Sequence, residues 1–170
     1  MHMVNAMRFG QHEPQETRIK TVKEFYDVLS KRKLSLATPF MSNLREGGNN
    51  ASCFILALED DLGSIFDNVK RMAEISKNGG GIGVFIGFLR AKGSSVNGVD
   101  NAAGCVTQWA KIVNDTMVAV NQGGKRAGAA TCALPIWHND IQDWLGMQDE
   151  HGDLRLMSYD IFPQVTIPDL

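Results

Sequence analysis

The sequence has no apolar run of membrane-spanning length and no hydrophobic region behind its Met1-His2-Met3 start that would serve as a signal peptide. A spanning or exported chain is therefore not expected, and a cytoplasmic location follows by default. Cysteines are few: Cys53, Cys105 and Cys132, far apart and without a C-x-x-C pair. An odd, scattered set argues against a disulfide scaffold and against a zinc site. The four histidines are scattered too and show no metal-ligand spacing, so no metal is expected to be held here. Neither sign of charge dominates. Seventeen Lys and Arg stand against nineteen Asp and Glu, for a net charge of −2. That balance excludes a broad basic surface for direct nucleic-acid binding. Internal repeats and low-complexity tracts are also missing.

What is present fits a soluble globular domain with a real core: 170 residues, 44% hydrophobic and 21% charged. Residues 1–16 are polar and aperiodic around Pro14, which predicts a flexible N-terminal segment, with residues 17–170 as the folded domain. From Thr17 to Leu34, Ile19, Val22, Phe25, Tyr26 and Leu29 fall on one helical face. Leu34–Thr38 predicts a short strand ended by Pro39, and Ser52–Leu58 a buried strand. Asp60 and Asp61 then cap a helix with Leu62, Ile65, Phe66, Val69 and Met72 on its apolar side. Asn78 and three glycines stop that helix, and Gly83–Phe88 predicts a further strand. A long polar loop, Arg90–Ala103, precedes a third helix from Val106 to Val120. A strand follows through Ile136, then a helix begun by Asn139-Asp140 with Ile141, Trp144 and Leu145 inward, then a strand over Arg155–Ile161. Strand and helix alternate, so the fold class is α/β with a largely parallel sheet.

The stretch richest in chemistry is Asn121–Thr131. Gly123, Gly124 and Gly128 let the backbone approach a ligand, Lys125 and Arg126 bring positive charge, and Gln122 offers an amide for a base edge. Such a loop suits a nucleotide, although a short glycine loop alone is more often a turn. Gly81, Gly83 and Gly87 imitate a dinucleotide fingerprint. That fingerprint needs a strand before the glycines and a helix after them, and here the order is reversed. A dinucleotide-dependent oxidoreductase is disfavoured on that ground. Taken singly, Cys53 reads as a buried structural cysteine, Asp60 as a helix cap, and Arg90 and Lys92 as solvated surface charge.

Together these stretches resemble one family, the catalytic large subunit of ribonucleotide reductase. The resemblance rests on Leu36-Ala37-Thr38-Pro39, Ser52-Cys53-Phe54, Gly79–Gly83 with its strand, Arg90-Ala91-Lys92-Gly93-Ser94, Gln122–Ala130, Trp137-His138 and Asp140-Ile141, from about Thr17 onward. It implies the opening part of a ten-stranded α/β barrel, incomplete without complementing chains. Thr38, Ser52, Gly80 and Gly81 would hold a ribonucleoside diphosphate. Cys53 would be one of the two cysteines that give electrons to it and end each turnover as a disulfide. Asp60, Arg90, Lys92 and Asn97 would form the specificity site for a deoxynucleoside triphosphate or ATP. Asn97 stands where the family often has a basic residue. Gln122, Gly123, Gly124, Lys125 and Arg126 would form the loop that relays effector identity to the substrate base. The helices at 62–77 and 104–120 would pack across the dimer contact of assembled large subunits.

The resemblance also implies partners. The family's radical cysteine lies in a later Asn…Cys…Glu motif, and the redox partner of Cys53 lies downstream as well; neither falls within these 170 residues. The expectation is a naturally split large subunit. Its own Met1 and a segment before the matching region favour that arrangement. Other fragments would bring the radical cysteine. A metal-containing small subunit (alternatively adenosylcobalamin) would make the radical, and thioredoxin or glutaredoxin would supply reducing equivalents. The alternative is a non-catalytic nucleotide-binding regulatory fragment. A partial barrel leaves open edges, so the isolated chain is expected to be poorly soluble or oligomeric.

Overall fold

A computed structural model of the chain describes residues 2–37, 41, 51–121 and 127–169. The chain divides into two compact units, Met1–Ser52 and Cys53–Leu170. Among the described residues, no helix is long and apolar enough to cross a membrane.

The first unit is a helical hairpin of α1 (His2–Gly10) and α2 (Gln15–Ser30). Residues 1–16, expected to be flexible, are thus largely a helix and its turn. Nine residues are too few to show a clear 3.6-residue period, and a helix that short is stabilised by packing. Ala6 is fully buried, and the Phe9 and Phe25 rings stack at 4.1 Å. The Arg18 guanidinium donates to the Gln11 and Glu13 carbonyls and closes the turn. Pro14 stands at the N-cap of α2, a position that needs no N–H from it. The strand expected over Leu34–Thr38 does not form in its described part: Leu34–Ala37 is irregular.

The second unit runs β1 (Cys53–Ala57), α3 (Leu62–Lys77), β2 (Gly81–Phe85), α4 (Val106–Ala119), β3 (Ala130–Pro135), α5 (Ile141–Leu145) and β4 (Phe162–Thr166). The four strands are parallel and lie in the order β1-β2-β3-β4. Crossovers between parallel strands are right-handed. Because the order never reverses, every connecting helix falls on the same face. Accordingly α3 packs against α4 and α4 against α5. Alternation along the strands matches. Ile82, Val84, Ala130, Cys132 and Leu134 are buried together with Ile65, Met72, Val113, Met117 and Trp144.

The other face, among the described residues of this unit, carries no helix. Register aligns Cys53 with Gly81, Ile55 with Gly83, Gly83 with Thr131, and Thr131 with Phe162 across it. Ile55 there is 88% exposed and Phe162 62%. Parallel sheets are ordinarily covered on both faces. A doubly wound sheet would carry helices on both; a sheet wound in one direction is an arc of a barrel, with its bare face turned inward.

Several elements sit differently from expectation, each for a local reason. The final strand is β4, not Arg155–Ile161. β4 carries Pro163, which is tolerated because among the described residues β4 is the edge of the sheet. Residues 147–161 are irregular, held by Gln148 Nε2, which donates to the Ser158 and Ile161 carbonyls, and by the Asp160 N–H, which donates to Asn114 Oδ1 at 2.8 Å. Asp61 alone caps α3, accepting the Ser64 N–H at 2.9 Å, which leaves Asp60 for another role. On α3 Leu62 and Phe66 are exposed, and on α5 Trp144 is buried while Leu145 is not.

Candidate functional site

Two clefts of the second unit hold most of the described candidate residues. The first lies on the bare face of the sheet. Its volume is about 570 Å³, and Cys53, Ile55, Gly81, Gly83, Thr131 and Gln164 line it. Cys53 opens β1 directly beside Gly81 of β2 and is exposed, not buried as its apolar neighbours suggested. Ser52 precedes it and ends the first unit. Thr38 lies outside the described residues. The other two cysteines contrast with Cys53. Cys132 is fully buried on the helix-covered face, and burial pushes its thiol up to about 12. Burial also raises the Cys105 thiol. Neither is a ready thiolate at neutral pH, because the thiolate is the nucleophilic form.

The glycines beside Cys53 divide by role. Gly79 takes a φ of 86° and ends α3. Its N–H donates to the Ser76 carbonyl at 2.9 Å and that of Gly80 to the Ile75 carbonyl at 3.0 Å, the two bonds of a Schellman stop. Of the two glycines expected at the diphosphate, Gly80 therefore has its amide engaged at the helix end. Gly80 is needed for space. A Cβ there would lie 2.6 Å from Ile75 Cγ2 and 2.7 Å from the Phe54 ring.

The second cleft, of about 360 Å³, lies past the C-terminal ends of β1 and β2, where open parallel sheets bind ligands. Asp60, Asp61, Arg90, Asn97 and Trp109 line it, with Leu62, Ile65 and Ala102–Gly104 completing the walls. Thirty residues apart in sequence, Arg90 Nε donates to Asp60 Oδ2 at 2.6 Å, and its Nη1 donates to the Ser95 carbonyl at 2.8 Å. The expected polar loop Arg90–Ala103 is in fact a folded wall. Val96 and Val99 exchange both backbone bonds around Asn97 (φ 50°) and Gly98 (φ 80°). Positive φ at both central residues marks a type I′ turn, for which Asn-Gly is the favoured pair. Asn97 is thus required by the turn as well as facing the cavity. Lys92 is not among the lining residues. Its Nζ stands 3.9 Å from Asp143 Oδ2. Gln122, Gly123, Gly124, Lys125 and Arg126 lie outside the described residues. On the near side of that loop, Ser76 Oγ donates to the Val120 carbonyl at 2.6 Å.

This arrangement, a one-way parallel sheet with an exposed cysteine on its bare face and a charged cavity at its strand ends, agrees with the comparisons. The sequence model described as "Ribonucleotide reductase, barrel domain" matches residues 51–170. The chain belongs to the ribonucleotide reductase large-subunit family. A second model, "Ribonucleotide reductase, all-alpha domain", matches residues 1–49. Among curated relatives, the ribonucleoside-diphosphate reductase subunit alpha of Synechocystis is 50% identical over 165 residues, 96% of this chain and 22% of that one. The subunit of the same name from Helicobacter pylori is 39% identical over all of this chain and 21% of its own length. A solved structure of the Actinobacillus ureae class Id ribonucleotide reductase alpha subunit superimposes with a TM-score of 0.78 over 98% of this chain and 29% of that one, at 20% identity, a likeness of fold. The chain spans about a fifth of the length of the curated relatives it matches.

The likeness corrects one expectation. Residues 1–16, read as lying before the matching region, fall within it. The Trp137-His138 and Asp140-Ile141 pairs lie in the stretch that leads from β3 into α5. Asp140, read as the cap of α5, makes no side-chain cap bond to that helix. It is buried, and its carboxylate accepts the backbone N–H groups of Lys92 and Val106. Cys105, Asp140 and Asp143 each bring one donor atom within 4.8 Å of the others. Yet the Asp140 oxygens are already filled by N–H groups and the Lys92 ammonium stands beside Asp143, so the cluster is chemically an anchor for the loop. The only sequence signal for it was a carboxylate ahead of a helix too short to need one.

Proposed function

We propose that this chain is the substrate-reducing and effector-reading component of a ribonucleoside-diphosphate reductase large subunit. It works with other large-subunit fragments that carry the radical cysteine. The single observation that carries this reading is the exposed Cys53 beside Gly81 on the uncovered inner face of a one-way parallel sheet. In this role Cys53 and a second cysteine each give one electron and one proton to the ribose. The 2′-hydroxyl leaves as water, and the two thiols become a disulfide that thioredoxin or glutaredoxin reduces. Ser52, Thr38 and the Gly80-Gly81 stretch would seat the diphosphate. Given its engaged amide, Gly80 contributes there by leaving room. The radical comes from a metal-containing small subunit, or alternatively from adenosylcobalamin.

Asp60, Arg90 and Asn97 form the effector site in this reading. A carboxylate accepts ribose hydroxyls and a guanidinium meets phosphate oxygens. Gln122, Gly123, Gly124, Lys125 and Arg126 form the loop between effector and substrate, with Lys92 adding nearby charge. The enzyme acts in the cytoplasm as a dimer of assembled large subunits. A second reading, a regulatory nucleotide-binding fragment, is favoured by one observation: the Asp60–Arg90 cavity is lined within the second unit alone. One experiment separates the readings. The chain is combined with the remainder of a large subunit and a radical-generating small subunit, and deoxynucleoside diphosphate is measured. Formation that requires this chain supports the enzyme reading. Effector binding without reduction supports the regulatory one.

A further inference from the structure

The wall of the Asp60–Arg90 cavity is a loop fastened at both ends from outside the cavity. Asp140 is 4% exposed. Its Oδ1 accepts the Lys92 N–H at 3.0 Å, and its Oδ2 accepts that N–H at 3.1 Å and the Val106 N–H at 3.0 Å. One carboxylate therefore holds the loop two residues after Arg90 and again at the first residue of α4. His138 completes the clamp. Its Nδ1 accepts the Asp140 N–H at 3.1 Å, and its Nε2 donates to the Leu89 carbonyl at 2.8 Å. A single tautomer, protonated at Nε2, serves both bonds. Arg90 is bracketed: Leu89 is held by His138 and Lys92 by Asp140. Neither clamp residue lines the cavity. Both follow β3 closely, and the His138 N–H donates to the Pro135 carbonyl at 3.0 Å, so the clamp stands on the sheet.

We propose that Asp140 and His138 are positioning residues for effector binding. They fix the two ends of the loop wall so that Arg90 meets Asp60 across the cavity. This rests on reading that cavity as the nucleotide effector site. A wall held in its binding geometry adds no ordering cost when ligand arrives. A released wall is competent only part of the time, and apparent affinity falls by that fraction.

The test uses the assembled large subunit with dTTP as the probe, read by equilibrium binding and by turnover across a dTTP titration. Asp140→Ala raises the dTTP concentration for half-saturation about tenfold, and His138→Phe raises it about threefold, the scale of one or two lost hydrogen bonds. Turnover at saturating dTTP stays within about twofold, because ligand re-forms the wall. Asp140→Asn restores part of the affinity: its amide oxygen at the Oδ2 position reaches both N–H groups, while its NH2 at the Oδ1 position faces the Lys92 N–H donor to donor. Unchanged half-saturation in Asp140→Ala overturns the proposal. So does a loss of turnover at saturating dTTP that follows a lowered melting temperature, with affinity intact. If Asp140→Ala fails to assemble, His138→Phe and Asp140→Asn decide by the same measures. Absence of dTTP binding by the unaltered assembly overturns the effector reading and the proposal with it. A shift confined to the variants separates the two.

Discussion

The cavity at Asp60 and Arg90 and the cleft at Cys53 belong to one sheet, yet they are finished to different degrees. The first is walled by a turn of fixed type, and its opposite charges already meet at 2.6 Å. The second is one face of four strands, with Ile55 almost wholly in solvent. A ligand entering the first finds its donors in place. A ligand entering the second finds a floor that carries an exposed cysteine. The difference teaches how far each cleft is built from local chain. The Asp60–Arg90 cavity is walled within the second unit, whereas the Cys53 cleft is a single sheet face.

That contrast is sharpened most by removing the charge that completes the first cleft. Arg90→Ala leaves Asp60 unpaired at 35% side-chain exposure. It should raise the effector concentration for half-saturation about a hundredfold, the scale of a lost charge-assisted contact to phosphate. Isothermal titration of the assembled subunit with dTTP measures it. An equal change in diphosphate binding would mean that the two clefts are not separate. The next largest effect belongs to the helix stop just ahead of β2. Gly80→Val forces atoms against Ile75 and Phe54 and should destabilise by about 2 kcal/mol, read by urea unfolding. A neutral result would place the requirement for glycine on the ligand side instead.

The smallest effect concerns the sheet face opposite Cys53. The Cys132 thiol rises from 9.0 to about 12 in the fold. A raised acid contributes stability that is complete below the unfolded value and is lost as pH climbs through the folded one. Stability should therefore decline between pH 9 and 12, by roughly 1 kcal/mol at pH 10. Cys132→Ala should remove that part of the slope in melts from pH 8 to 11. An identical slope in the variant would show that other groups set it.

Much of the architecture was legible because hydrophobic period tracks burial. The runs at 52–58 and 83–88 and the helices at 62–77 and 106–119 are all present within a few residues. Elements stabilised by tertiary contact were not legible. Helix α1 depends on α2, and β4 carries Pro163 on an edge that only the sheet order reveals. At the site, Asp60 and Arg90 could be named from motif resemblance, but nothing local brings together residues thirty apart. Cys53 was misread as buried because an apolar strand looks alike whether one face or both are covered. Asp140 escaped because its partners are backbone N–H groups, which leave no mark on the side-chain pattern.

The central claim is that Cys53 is the electron donor on the inner face of the barrel. Its most direct test is Cys53→Ser in the assembled reductase, followed over many turnovers with a thioredoxin-type reductant. The account predicts that sustained deoxynucleotide formation is lost, by about a thousandfold or more, while effector binding at the Asp60–Arg90 cavity is retained. Sustained turnover at the unaltered rate in the serine variant would contradict it.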